Sequence, residues 1–191
     1  MVAYSKVEAK FLSPVGKEIL LRSVVQAIPF YTMSVFLLPL DLCAELECMM
    51  NSFWWGSGGR GQGEIRWKRW ELLCRLKVVG GLSFHRVYEF NLALLGKQVW
   101  GLLSNPNSFV TRVYGAHYFP RSDILQAEFG YNPSYVWCSV WAAIPILRFG
   151  LRWNVGSGAS ISIWQDPWLP SGMNPYVSSV ASVISHYQLV C

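Results

Sequence analysis

The segment GGLSFHRVYEFNLALLGKQVWGLL, residues 80–103, carries the clearest fold signal in this sequence. Two glycines open it, and apolar residues at helical spacing follow them. These residues recur at i, i+4, i+7, i+11 and i+14, which places them on one face of an α-helix. They are Tyr88, Leu92, Leu95, Val99 and Leu102. Phe90 and Leu94 fall outside this stripe, so we expect a central helix that contacts neighbours on two sides.

The composition indicates a folded chain with a substantial core. Of 191 residues, 52% are hydrophobic and only 14% are charged, a balance too apolar for a disordered chain. The length suits one domain or two small lobes.

Helix signals on both sides of the central segment favour a mainly α fold. Ser13 followed by Pro14 is typical of a helix start, and Pro29 should bend or break the helix that follows. Asp41, Asn105 and Asn132 are expected to cap three further helices. The fold class is therefore mainly α, a kinked multi-helix assembly.

A change of period near the end of the chain predicts a small β-hairpin within residues 151–164. Trp153 and Val155 alternate with polar neighbours, and Ile161 and Ile163 do so again after a glycine-containing turn. Together these signals divide the chain into five segments. They are a helical, thumb-like segment (1–56), a Gly-rich loop with a basic-aromatic segment (57–86), a helical connector (87–150), the hairpin and turn (151–170), and a loosely ordered tail (171–191).

An uncharged run of 18 residues, from Ser23 to Leu40, raises the alternative of a membrane anchor. Gln26 and two prolines interrupt it, and neither a second span nor a basic flank accompanies it. These features favour a buried core helix over a membrane span.

The excess positive charge is concentrated between residues 60 and 86. The chain carries 16 basic and 11 acidic residues, and this stretch holds seven of the former and two of the latter, so the remainder is neutral. A local cluster of this kind favours contact with a polyanion over a diffuse basic surface, and a solvated loop is the alternative. The candidate nucleic-acid-binding residues are Arg60, Arg66, Trp67, Lys68, Arg69, Trp70, Arg75, Lys77 and Arg86.

The two tryptophans of this cluster allow two readings. Exposed indoles could stack on nucleic-acid bases, while the basic side chains neutralise phosphates. Alternatively Trp67 and Trp70, three residues apart, share a face and pack inward.

Sequence motifs for metal, cofactor or covalent chemistry are not found. The five cysteines include no CxxC pair, the three histidines are scattered, and the glycines of residues 57–63 precede no Gly-Lys-Ser/Thr. We therefore expect no catalytic residue, no metal, no cofactor and no small-molecule substrate. Free thiols in a reducing intracellular compartment, nucleus, cytoplasm or organelle, are the expected state.

Nine blocks resemble, in order, the region downstream of the polymerase palm in plant non-LTR (LINE-type) retrotransposon reverse transcriptases. They include QAIP at 26–29, FWWG at 53–56, NPSYVW at 132–137 and IWQDPWLP at 163–170, besides the central helix. Together the blocks cover about residues 9–170. Ser83-Phe84-His85-Arg86 and the residues beyond Pro170 depart from the family pattern.

The resemblance implies the thumb and connector of an RNA-directed DNA polymerase. The metal-binding Asp-Asp box of the palm has no counterpart in the sequence, so the resemblance implies a fragment that is not an enzyme. An RNA/DNA hybrid or duplex is the expected partner. Two alternatives remain, a protein anchored in a membrane by residues 23–40 and a helical scaffold with no function of its own.

Overall fold

The structure, a computed structural model, describes residues 12–56, 65–152, 154–156, 162–163, 167–169 and 177. Seven α-helices are formed in these residues. They are α1 (Pro14–Leu20), α2 (Phe30–Met33), α3 (Leu40–Trp55), α4 (Trp70–Leu73), α5 (Val87–Ser104), α6 (Phe109–Tyr118) and α7 (Tyr135–Gly150). A π-helical turn (Leu21–Val25) and two 3-10 turns (Lys77–Val79 and Ile124–Gln126) connect them. The prediction of a mainly α, multi-helix assembly is confirmed.

The hairpin prediction falls largely outside the described residues. Half of residues 151–164, nearly all of the tail 171–191 and Arg60 are not among them. The described part of the chain contains no β-strand. The chain divides into two compact units, Met1–Pro145 and Ile146–Cys191.

The break predicted at Pro29 is confirmed. Helix α1 starts with the predicted cap, since Ser13 Oγ accepts a hydrogen bond from Gly16 N at 3.2 Å. The helix then widens, and Gln26 N donates to Leu21 O, five residues back, at 3.0 Å. Pro29 ends this stretch because it has no N–H to donate, and α2 begins at the next residue.

Because of this break, residues 23–40 do not form one continuous helix. They are shared between the π-helical turn, a non-helical turn at 26–29, α2, irregular backbone at 34–39 and the first residue of α3. Among the described residues, none of the helices combines the length and the apolar character needed to cross a bilayer.

Helix α5 is the centre of the first unit, as its periodicity predicts. It packs against α2, α3, α6 and the Ile124–Gln126 turn. Leu95, Val99 and Leu102 are buried as expected, whereas Tyr88 and Leu92 are only half-buried. The buried face is rotated towards Asn91, which is fully enclosed.

Asn91 is buried because three backbone groups satisfy its amide. Its Oδ1 accepts from Leu38 N at 2.7 Å, and its Nδ2 donates to Met33 O at 2.6 Å and Phe36 O at 2.9 Å. A buried amide with these partners costs little, and it fixes the 33–38 segment against α5.

The N-cap predictions for Asp41, Asn105 and Asn132 are wrong. Pro39 is the N-cap residue of helix α3. Asp41 lies in the first turn, where the helix dipole stabilises a carboxylate. Ser108 caps α6 through its Oγ, which accepts from Thr111 N at 3.1 Å. Ser134 Oγ does the same for Trp137 N, at 3.2 Å, in α7.

Candidate nucleic-acid interface

The basic-aromatic segment, residues 65–69, is irregular backbone that lies along α3. The Arg66 guanidinium donates to Ser52 Oγ at 2.7 Å and to Cys48 Sγ at 3.2 Å, both on α3. The Trp55 indole N–H donates to the carbonyl of Lys68 at 3.1 Å. These contacts at both ends hold the segment on the surface of the helix without regular secondary structure.

A cleft of ≈ 370 Å³ opens between this segment, α3 and the start of α5; we call it the basic cleft. Its lining residues are Ala44, Glu47, Cys48 and Asn51 of α3, with Arg66, Lys68, Arg69, Trp70, Glu71 and Arg86. Four cations and two carboxylates face one another here, so the lining carries a formal excess of positive charge. The four cationic residues are exposed.

The acidic side chains of the cleft only partly offset this charge. Glu47 is engaged as a cap, since its Oε1 accepts from Val87 N, the first residue of α5, at 2.8 Å. A carboxylate at a helix N-terminus is balanced by the helix dipole. Arg86 pairs with Glu89 at 2.9 Å, but both side chains are about half exposed, so this pair is weak and exchangeable.

The structure brings five of the nine predicted site residues together in the basic cleft: Arg66, Lys68, Arg69, Trp70 and Arg86. Arg75 lines an adjacent cleft, which shares Glu71 and Arg86 with the first. Lys77 lies apart, because its Nζ pairs with Glu18 of α1 at 2.8 Å. This hydrogen bond from Lys77 lowers the pKa of the Glu18 carboxyl below its ordinary value.

The two tryptophans of the segment have different environments. Trp70 is 4% exposed, and its ring stacks on Phe84 with 4.9 Å between centroids and 5° between planes. Its indole N–H donates to the His85 carbonyl at 3.4 Å. Trp70 therefore belongs to the core, whereas Trp67 is 74% exposed and does not line the cleft, although its sequence neighbours Arg66 and Lys68 do. The two side chains do not share one packed face.

The α3 wall of the cleft is not identified by sequence reasoning. Ala44, Glu47, Cys48 and Asn51 are spaced i, i+3, i+4 and i+7, so they form one helical face. This spacing is the signal that could have found them. Leu42, Leu46, Met49 and Phe53 of α3 recur at helical spacing, which predicts that Asn51 points away from the core, yet Asn51 is buried. Its Oδ1 is a buried acceptor without a hydrogen-bond partner among the described residues.

Two thiols outside the basic cleft are disfavoured as thiolates by burial. Burial raises the pKa of the Cys74 thiol to about 12, and burial also raises the pKa of Cys43. The described residues contain no group of three or more His, Cys, Asp or Glu side chains arranged to hold a metal ion.

The described fold defines a class, a small helical protein with a basic surface cleft. The chain is 36% identical over 144 residues to the "Uncharacterized mitochondrial protein AtMg00310" of Arabidopsis thaliana. The alignment covers 75% of this chain and 93% of that protein, so the chain belongs to the same family.

A second relative is much longer. The chain is 31% identical over 165 residues to the "Putative ribonuclease H protein At1g65750" of Arabidopsis thaliana. The alignment covers 84% of this chain but only 26% of that protein, so the chain spans about a quarter of it. No protein-family model matches the chain. No solved structure matches it either.

Proposed function

We propose that the chain derives from the post-palm region of a plant non-LTR retrotransposon reverse transcriptase and keeps nucleic-acid binding without polymerase activity. Two findings support this origin. The sequence blocks resemble that region in order, and the chain is similar to about a quarter of a much longer plant protein named for nucleic-acid chemistry. The activity in that protein's name is not extended to this chain, which corresponds to so small a part of it.

The observation that carries the binding proposal is the convergence of Arg66, Lys68, Arg69 and Arg86 on one cleft. These residues are up to 20 positions apart in the sequence, and the fold places them around a single opening. A chain that neutralises phosphates with such groups releases counterions, so its affinity falls as salt rises.

Arg66 and Lys68 also hold the segment in place. Arg66 bonds α3, and Lys68 Nζ donates to the Gly80 carbonyl at 3.2 Å. Arg69 and Arg86 are therefore the better residues to remove, because their loss leaves these anchoring contacts intact.

The test is a salt titration of binding to a labelled RNA/DNA hybrid, followed by fluorescence anisotropy. The double variant Arg69→Gln/Arg86→Gln should lower the slope of log K against log salt by about 1.4–1.8, if each residue contacts one phosphate. Arg112→Gln is the matched control, since Arg112 is exposed on α6, which contributes no residue to the basic cleft. Its slope should equal that of the wild type.

Two results would overturn the proposal. The first is a wild-type chain that binds no hybrid at low salt, which would leave the scaffold alternative. The second is a slope of log K against log salt that falls equally in the double variant and in the control. That result would mean that binding depends on the overall positive charge and not on the basic cleft.

A further inference from the structure

Trp67, in the basic-aromatic segment, is exposed to solvent. The neighbouring indoles are engaged: Trp55 donates to the Lys68 carbonyl, and Trp70 is stacked on Phe84. Trp54 packs edge-on against Phe84, with 5.6 Å between centroids. Trp67 alone among these four is mostly exposed, at 74%. Its ring is therefore free of the packing that holds the other three, and its faces are accessible to a ligand.

The surroundings of Trp67 indicate what kind of ligand it contacts. Arg66 and Lys68 flank it in sequence, and Arg66 is tied to α3 by two hydrogen bonds. The backbone that carries Trp67 is therefore fixed on both sides, by Arg66 and by the Trp55–Lys68 bond. An exposed indole on an anchored backbone, between two residues that line a cationic cleft, supplies the two elements that bind unpaired nucleotides, an aromatic face and phosphate-binding cations.

We propose that the basic cleft prefers single-stranded nucleic acid, with one unpaired base stacked on Trp67 and the adjacent phosphates at Arg69 and Arg86. This inference rests on the proposed nucleic-acid binding and specifies its ligand. Inside a duplex both faces of a base are covered by its neighbours, so the indole has no face to contact there. An unpaired base offers that face at no cost in base pairing.

The experiment compares binding of labelled oligo(dT) and of a hairpin duplex with the same number of phosphates, by anisotropy at one salt concentration. The wild type should bind the single strand more tightly. Trp67→Ala should weaken single-strand binding by about 5- to 150-fold, the equivalent of about 1–3 kcal/mol of stacking, and leave duplex binding unchanged. Trp67→Phe should retain most of the preference, because a phenyl ring still stacks.

Trp100→Ala is the matched control. Trp100 is also an exposed indole, 51% exposed, but it lies on α5, and unlike Trp67 it has no sequence neighbour that lines the basic cleft. Its removal should change neither affinity. Far-ultraviolet circular dichroism and urea midpoints show whether each variant is folded as the wild type is.

The outcomes separate the two proposals. If the wild type binds both probes and Trp67→Ala weakens both equally or neither, stacking on Trp67 is overturned while phosphate binding through the basic cleft stands. The same holds if the duplex is bound more tightly than the single strand. If the wild type binds neither probe, the proposed function itself fails.

Discussion

Replacing Gly81 with alanine should destabilise the fold strongly, because the chain passes too close to itself there. A Cβ built at residue 81 would lie 2.8 Å from the Cα of Arg75 and nearer still to its carbonyl group. The obstacle is backbone, so no side-chain rotation can relieve it. The two backbone segments must move apart instead.

That movement breaks the hydrogen bonds that fold residues 81–83 back onto α4 and the turn after it. They are Gly81 N to Leu76 O at 3.1 Å, Leu82 N to Leu73 O at 2.7 Å, and Ser83 N to Arg75 O at 2.8 Å. At about 0.5–1.5 kcal/mol for each of the three, their loss lowers the free energy of unfolding by about 1.5–4.5 kcal/mol. That is a large share of the ~5–15 kcal/mol typical of a folded domain.

Two other glycines supply graded controls. Gly80 has φ +82° and open space around it, so Gly80→Ala should cost roughly 1–2 kcal/mol for the left-handed backbone alone. Gly101 is in α5, and a Cβ added there would meet nothing within 4 Å, so Gly101→Ala should stabilise the helix by roughly 0.5–1 kcal/mol.

Urea unfolding monitored by tryptophan fluorescence gives all three free energies. The expected order of stability is Gly101→Ala above wild type, then Gly80→Ala, then Gly81→Ala. If Gly81→Ala unfolds at the wild-type midpoint, or is more stable than Gly80→Ala, the close approach to Arg75 does not exist in the folded protein.

Three further predictions concern buried or paired groups. Asn91→Ala should destabilise by about 3 kcal/mol or more, since it leaves two buried backbone groups and one part-buried carbonyl without partners, and a urea midpoint equal to wild type would contradict this. At pH 8, iodoacetamide should modify the exposed Cys48 and spare Cys74, whose pKa is about 12; equal labelling by peptide mass spectrometry would refute the burial of Cys74. The lowered pKa of Glu18 stabilises the fold above the ordinary value of 4.5, so Glu18→Gln should be less stable than wild type at pH 7. That difference should shrink as pH falls below 4.5 and the Lys77 pair is lost, and a difference independent of pH would exclude the pair as its cause.

The sequence predicts the elements whose signals are local. The helical period of α5, the cap at Ser13 and the break at Pro29 each depend on residues within a few positions, and all three are found. The cap predictions for Asp41, Asn105 and Asn132 are wrong because several nearby residues can accept a hydrogen bond from the first N–H groups of a helix. The backbone geometry at the helix start determines which of them does so.

Burial is harder to predict, because it depends on which distant segment arrives at a given face. The period of α5 alone favours an apolar centre, but backbone groups 53–58 residues away make Asn91 the best-satisfied residue there. Likewise, the spacing of Trp67 and Trp70 cannot tell which ring meets Phe84. The cationic side of the cleft is visible in the sequence, while its α3 wall is defined only once α3 and α5 are packed.

The side-chain amide of Asn91 bonds only to main-chain atoms, so its hydrogen bonds do not depend on which side chains stand at positions 33, 36 and 38. Substitutions there can leave the three hydrogen bonds in place, although the side chains of Met33 and Leu38 are themselves packed in the core, whereas no other residue type presents the same donor and acceptor at that length. A related chain with another residue at position 91 should therefore fold less stably, even where its apolar pattern is intact.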